Sequence, residues 1–339
     1  MNRTMAIALA LGVCLITGLI VWSGAADVLR VVATIGWGAL IVSVFRFALL
    51  IFDTLSWRAV LDDATRPSLG RLFWVRWIAD SINTLLPVAR IGGEFVRARL
   101  LARERVGAES SGPIPGAVAG ASVMVDVTAG IVTQFLFSVV GVVAFIILVR
   151  GDAGDSVSLL AGLALFGLGL VIFYKLQHAG PFLKLARWVE AMAGDANWLR
   201  MTGGAAALDG AVVDLYRRRL AVVHCCFWRI VGWTAGAAEV WLIMCFLGHP
   251  ISLMEAFVLE SLGQAARSAG FLVPGGLGVQ EGGFMLVGAQ LGLTPELALA
   301  LSLVKRVREL AIGAPGLIAW QITEGRLAWN ASSKGKTIR

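Results

Sequence analysis

Charge is scarce in this chain. Only 15% of its 339 residues are Asp, Glu, Lys or Arg, against roughly a quarter in a soluble globular domain. Histidine is nearly absent, and His178, His224 and His249 form no ligand cluster. The four cysteines, Cys14, Cys225, Cys226 and Cys245, all fall in apolar segments without metal-ligand spacing. They read as small buried hydrophobes, so no metal centre and no cofactor is expected. Enzyme signatures are missing as well. There is no G-x-x-x-x-G-K-[ST] loop to drive transport by ATP, no H-E-x-x-H, and no G-x-S-x-G elbow. The longest polar stretch, 175–219, is too short for a separate catalytic domain. An enzyme is therefore not expected.

What the chain has instead is apolar length. It is 58% hydrophobic with a mean hydropathy of +0.81. Its apolar residues come in long runs rather than in alternation, which predicts an all-α polytopic integral membrane protein and excludes a barrel. The long runs are 5–23, 36–56, 117–149, 157–174, 220–247 and 296–322; two more, 72–89 and 251–292, are interrupted by Pro and Gly. Arg3 followed by an apolar stretch to Trp22 is longer than a signal-peptide core, so an uncleaved first transmembrane helix is expected. The net charge of +7 lies beside the apolar runs, where it orients spans rather than binding nucleic acid.

Charge placement sets the expected topology. Arginines gather in 57–76, 90–105, 175–219 and the tail. All of these fall on the cytoplasmic side, with both termini, only if 72–89 dips in and returns, and if 251–292 enters and leaves from the outer face. The expectation is about six full transmembrane helices plus two re-entrant hairpins of opposite orientation. They belong to one domain, 1–339, with repeat units near 72–150 and 251–323 and a cytoplasmic connector over 175–219. Two short phrases support the repeat. In LLPVARIGGE (85–94) Glu94 follows Pro87 by seven residues, and in FLVPGGLGVQE (271–281) Glu281 follows Pro274 by seven. Secondary transporters commonly place their substrate between such inverted repeats. Non-helical backbone at membrane depth is tolerated only where protein buries it or a cavity hydrates it.

Charges within apolar segments cost at least about 2.5 kcal/mol each on insertion scales, yet this chain has several. Asp80, Asn83 and Glu94 belong to the first interrupted segment, and Asp126 to the helix after it. Glu260, Arg267 and Glu281 flank the second break, and Lys305, Arg306, Arg308 and Glu309 follow. Two readings stand open: a polar cavity admitting a lipid headgroup, and internal ion pairing that ties Asp126 to Lys305, Arg306 or Arg308. Glu94 and Glu281 are expected to face a common cavity, or else to cap the backbone of their own hairpins. Arg46 with Asp53, and Arg229 with Glu239, share helices and read as structural. The basic run 97–105 reads as a solvated cytoplasmic face.

The blocks RWIADSINTLLPVARIGGEFVRARLL (76–101), GASVMVDVTAGIVTQ (120–134), FLVPGGLGVQEGGF (271–284) and LALSLVKRVRELAIGAPGLIAWQ (299–321) closely resemble the HpnL family of hopanoid-biosynthesis-associated membrane proteins. That family lies within the flippase-like group related to the membrane portion of lysylphosphatidylglycerol synthases. The resemblance implies a bacterial inner-membrane protein, a membrane lipid as partner, and hopanoid-biosynthesis proteins as candidate partners. It singles out Asn83, Pro87, Arg90, Gly92, Gly93, Glu94 and Arg97 in the first unit. In the second it singles out Pro274, Gly275, Gly276, Gly278, Gln280 and Glu281, with Asp126, Lys305, Arg306, Arg308 and Glu309 on the paired helices. No soluble aminoacyl-transferase domain is recognisable, so synthesis of lysyl-lipid is not expected. The leading expectation is a flippase moving a polar, hopanoid-related lipid; the alternatives are an intramembrane lipid-modifying enzyme and a non-transporting scaffold.

Overall fold

The computed structural model describes residues 35–62, 66–86, 92–104, 113–149, 205–269 and 279–336. The runs 5–23 and 157–174, most of the 175–219 connector, and the break residues Pro87, Arg90, Pro274, Gly275, Gly276 and Gly278 lie outside them. The described residues are helical, without a strand: α1 (Trp37–Val60), α2 (Leu69–Leu85), α3 (Gly92–Ala102), α4 (Gly116–Val149), α5 (Ala205–Arg217), α6 (Arg219–Phe246), α7 (Leu253–Ala269), α8 (Val279–Gln290) and α9 (Pro295–Lys336). Among them α1, α4 and α6 are long and apolar enough to cross a membrane, and their bounds track the runs 36–56, 117–149 and 220–247.

The interrupted segments become helix pairs with one long and one short limb, α2 with α3 and α7 with α8. The first pair is longer than the sequence suggested. Its second limb, α3, takes in residues assigned above to a solvated basic face. Arg97, Leu100 and Leu101 point inward together at helical spacing, and Arg97 is fully buried. Arg99 and Arg103, on the opposite face, pair with Glu324 at the surface. So of the three described arginines in that run, Arg99 and Arg103 are solvated, as expected, and Arg97 is not.

Helix ends follow local chemistry. Gly248 and Gly292 have φ of 76° and 79°. Each lets its helix end in a reversed turn, with His249 N–H bonding Met244 C=O and Leu293 N–H bonding Gly288 C=O. Helix α7 opens on a capping box: Ser252 and Glu255 bond each other's backbone N–H. Helix α9 opens with Pro295 in its first turn after Thr294, whose hydroxyl accepts from Leu297 N–H.

Packing is closest where small residues let helices touch. Gly93 sits against the backbone of Ala79 and the side chain of Asn83, closing the first pair, and Gly316 sits against Ser81, joining α9 to α2. A β-carbon at either position would collide. Helices α1 and α6 run antiparallel, since Arg46 meets Glu239, Asp53 meets Arg229 and Ser56 meets Cys225. One apolar core gathers around α2 and α3, a second around α7 and α8, and a third joins α4 to α7. Pro315 lies inside α9, and the indole N–H of Trp77 on α2 bonds Ile312 C=O one turn before it, at 3.0 Å.

Candidate functional site

Both hairpins contribute to a cavity of about 170 Å³. Helix α2 supplies Arg76, Asp80, Ser81 and Thr84; α7 supplies Gln264 and Arg267; α9 supplies Arg308, Glu309, Ile312 and Gly313. Helices α1 and α6 complete the wall with Arg46, Leu49, Leu50, Asp53, Arg229, Gly232 and Trp233. Five guanidiniums in one wall cannot be held at membrane depth without counter-charge, and the structure supplies it in two connected sets.

The first set centres on Asp126, which is fully buried on α4. One of its carboxylate oxygens takes Arg76 from α2 at 2.7 Å, Arg97 from α3 at 2.9 Å and Arg229 from α6 at 2.6 Å. The other oxygen accepts from Ser56 on α1 at 2.9 Å. Asp53 takes Arg229 at 2.6 Å and lies 3.8 Å from Arg76. Glu94 pairs with Arg97 at 3.1 Å, and the Arg97 guanidinium stacks 4.7 Å from the Trp57 ring. Three guanidiniums thus face the carboxylates of Asp53, Glu94 and Asp126, so the set is balanced.

The second set lies toward α7, α8 and α9. Glu239 on α6 takes Arg308 at 3.1 Å and Arg46 at 4.0 Å. Arg308 also lies 3.9 Å from Glu309, which pairs with Arg267. Lys305 pairs with Glu260, and Gln264 donates to the same carboxylate at 2.9 Å. Arg306 pairs with Glu281 at 2.7 Å.

These partners differ from the expected ones. Asp126 is tied to Arg76, Arg97 and Arg229, not to Lys305, Arg306 or Arg308, because those three cations meet Glu260, Glu281 and Glu239. The charges of α1 and α6 likewise pair across the two helices rather than within them, because side chains two or three turns apart on one helix cannot reach each other. Glu94 and Glu281 line separate contacts instead of the cavity. Glu94 accepts from Asn83 at 3.0 Å, and it is Asn83, not Glu94, that caps the hairpin by accepting from Gly93 N–H at 2.8 Å. Of the residues expected at a cavity, Arg267, Arg308 and Glu309 line it, and so do Asp80 and three charges read as structural, Arg46, Asp53 and Arg229. Arg97, Asp126, Lys305 and Glu281 brace its walls or the adjoining helices, and Gln280 is buried in α8.

Sequence reading missed Arg76 and gave no role to Asp80. Arg76 was legible only as one of several basic residues beside an apolar run. Asp80 differs from every other charged side chain in the wall: among the described residues it has no ion-pair partner. No group of His, Cys, Asp and Glu among the described residues could hold a metal ion.

No curated protein and no solved structure shows significant similarity to this chain. Residues 6–316 match the family described as the lysylphosphatidylglycerol synthase TM region. The match spans both hairpins, all three candidate membrane-crossing helices and every residue of the cavity wall, so the chain is a membrane protein and belongs to that family.

Proposed function

We propose that the chain is a lipid flippase, which moves a polar lipid between leaflets by passing its headgroup through the charged cavity. The observation that carries this reading is the cavity itself: a wall of arginines and carboxylates drawn from both hairpins and closed by α1, α6 and α9. Such a wall replaces the hydration that a headgroup gives up on leaving water. At about 170 Å³ the space suits a headgroup and not acyl chains, which stay in the surrounding hydrocarbon. On this reading the two hairpins are re-entrant and oppositely oriented, the units 72–150 and 251–323 form an inverted repeat, and both termini are cytoplasmic in a bacterial inner membrane. A hopanoid-related polar lipid is the substrate that the family resemblance favours.

Supporting the repeat is a correspondence of position. The offset that carries Pro87 onto Pro274 carries Asp80 onto Arg267, and both line the cavity. Reconstitution of the purified chain in liposomes with labelled lipid, with and without an ion gradient, tests the function. Translocation above the rate of protein-free liposomes is expected. Chemical conversion of the lipid would favour a modifying enzyme, and neither conversion nor translocation would favour a scaffold.

A further inference from the structure

Charged side chains of the cavity wall keep unused bonding capacity on both hairpins, and the sign differs between them. On α2, the half-buried carboxylate of Asp80 lines the cavity and has no ion-pair partner among the described residues. The other two carboxylates of the wall are engaged, Asp53 by Arg229 at 2.6 Å and Glu309 by Arg267. On α7, Arg267 is buried, and one of its terminal nitrogens donates to Glu309. Its Nε is buried as well and has no hydrogen-bond acceptor. Arg308 on α9, also buried and in the wall, repeats the pattern. Its Nε lies 3.1 Å from Glu239 but makes no hydrogen bond.

A buried guanidinium N–H without an acceptor is costly, and so is a carboxylate without a donor. One small group can answer both only if it carries both signs. A phosphate has the oxygens to serve Arg267 and Arg308 together. A primary ammonium serves Asp80 and has further donors to place. Ser81, next to Asp80 and also in the wall, donates its hydroxyl to Trp77 C=O at 2.8 Å, which leaves its oxygen able to accept from such an ammonium. The two ends belong to equivalent positions of the two units, since the offset that relates Pro87 to Pro274 relates Asp80 to Arg267.

We infer, resting on the flippase reading above, that the cavity takes a dipolar headgroup: a phosphate joined to a single primary ammonium, with the phosphate at Arg267 and Arg308 and the ammonium at Asp80. Asp80 is then the residue that sets specificity. A headgroup with a phosphate and no cation leaves Asp80 unanswered in the same small space. A headgroup with two ammoniums, such as the lysyl group of lysylphosphatidylglycerol in the family's description, finds Asp80 open but Asp53 and Glu309 already held by arginines.

To test this, the full chain in liposomes is given acyl-labelled phosphatidylethanolamine, phosphatidylglycerol or lysylphosphatidylglycerol at equal fraction, and initial translocation rates are compared. Phosphatidylethanolamine is expected to move about tenfold faster than either of the others. Asp80→Asn removes most of its advantage over phosphatidylglycerol, while Asp80→Glu keeps most of it. Arg267→Gln slows both, since both carry the phosphate. Circular dichroism of each variant separates lost transport from lost folding. Equal rates for phosphatidylethanolamine and phosphatidylglycerol in the unaltered chain overturn the inference, as does a faster rate for lysylphosphatidylglycerol. An unchanged preference in folded Asp80→Asn overturns it too, and so do unchanged rates in folded Arg267→Gln. Arg90 lies outside the described residues; a larger preference in Arg90→Gln would mean that Arg90 holds Asp80 in the unaltered chain, and also overturns the assignment. If none of the three lipids moves, the flippase reading falls instead. Native mass spectrometry of the same lipids bound in detergent then reads the headgroup preference by itself, and equal occupancy overturns it.

Discussion

Asp126 compensates three guanidiniums at once, and this makes it the residue with the most to lose. Replacing it with Ala leaves Arg76, Arg97 and Arg229 in a protein interior with only Asp53 and Glu94 to share. Breaking a buried pair from one side costs about 3–5 kcal/mol, and here the loss falls on three partners. Asp126→Ala is expected to lower the unfolding midpoint in detergent sharply, or to prevent accumulation of folded protein; a melting curve like that of the unaltered chain would contradict the geometry. Asp80 is the opposite case. It lines the cavity without an ion pair among the described residues, so Asp80→Asn should change stability by no more than about 0.5 kcal/mol. Under the flippase reading it should change the translocation rate, because it removes a charge that the headgroup meets. Glu94→Gln and Glu281→Gln test a different point. Both carboxylates are engaged outside the cavity wall, so translocation by each folded variant is expected to stay within about twofold of the unaltered chain, at a stability cost of about 1 kcal/mol or more from the broken pair. A selective loss of rate with normal melting would return them to the mechanism.

Helices differ in how plainly the sequence announced them. The bounds of α1, α4 and α6 follow from apolar run length alone, because a span in hydrocarbon needs about 20 apolar residues and little else does. Helix α3 was hidden. Its 11 residues include Arg97 and Arg99, and the buried one is compensated both by Glu94, one turn before it, and by Asp126, 29 positions along the chain. The second of these partners cannot be read from the local sequence. The same limit applies to ion pairing: the sequence exposed which residues carry charge within apolar segments, and the partners depended on how helices cross. Contact between α2 and α9 is a testable element of that crossing. Gly316 faces Ser81 with no room for a side chain. Gly316→Val should force the helices apart and destabilise by about 1–3 kcal/mol, read by thermal unfolding, whereas Gly282→Ala, on the open side of α8, should have little effect.

For the molecule as a whole, membrane orientation is the expectation that most needs measurement. Single cysteines introduced at Arg103 and Arg218, both at the surface, should be labelled by an impermeant thiol reagent only from the cytoplasmic side in a background lacking the native cysteines. Labelling of position 103 from outside would remove the opposed-hairpin arrangement. Salt should matter little to stability, because the principal charge pairs are buried and poorly screened.

Pro315 gives α9 two arms of different attachment. The arm before it holds Arg308 and Glu309 against Glu239 and Arg267; the arm after it holds Glu324 against Arg99 of α3 and Arg103 just beyond that helix. At the joint, Trp77 grips the carbonyl of Ile312, so the pivot is clamped to α2 rather than free. One helix therefore spans from the charges of the cavity wall to the surface of the first hairpin, and that hairpin holds it twice, by α2 near Pro315 and by Arg99 of α3 at Glu324.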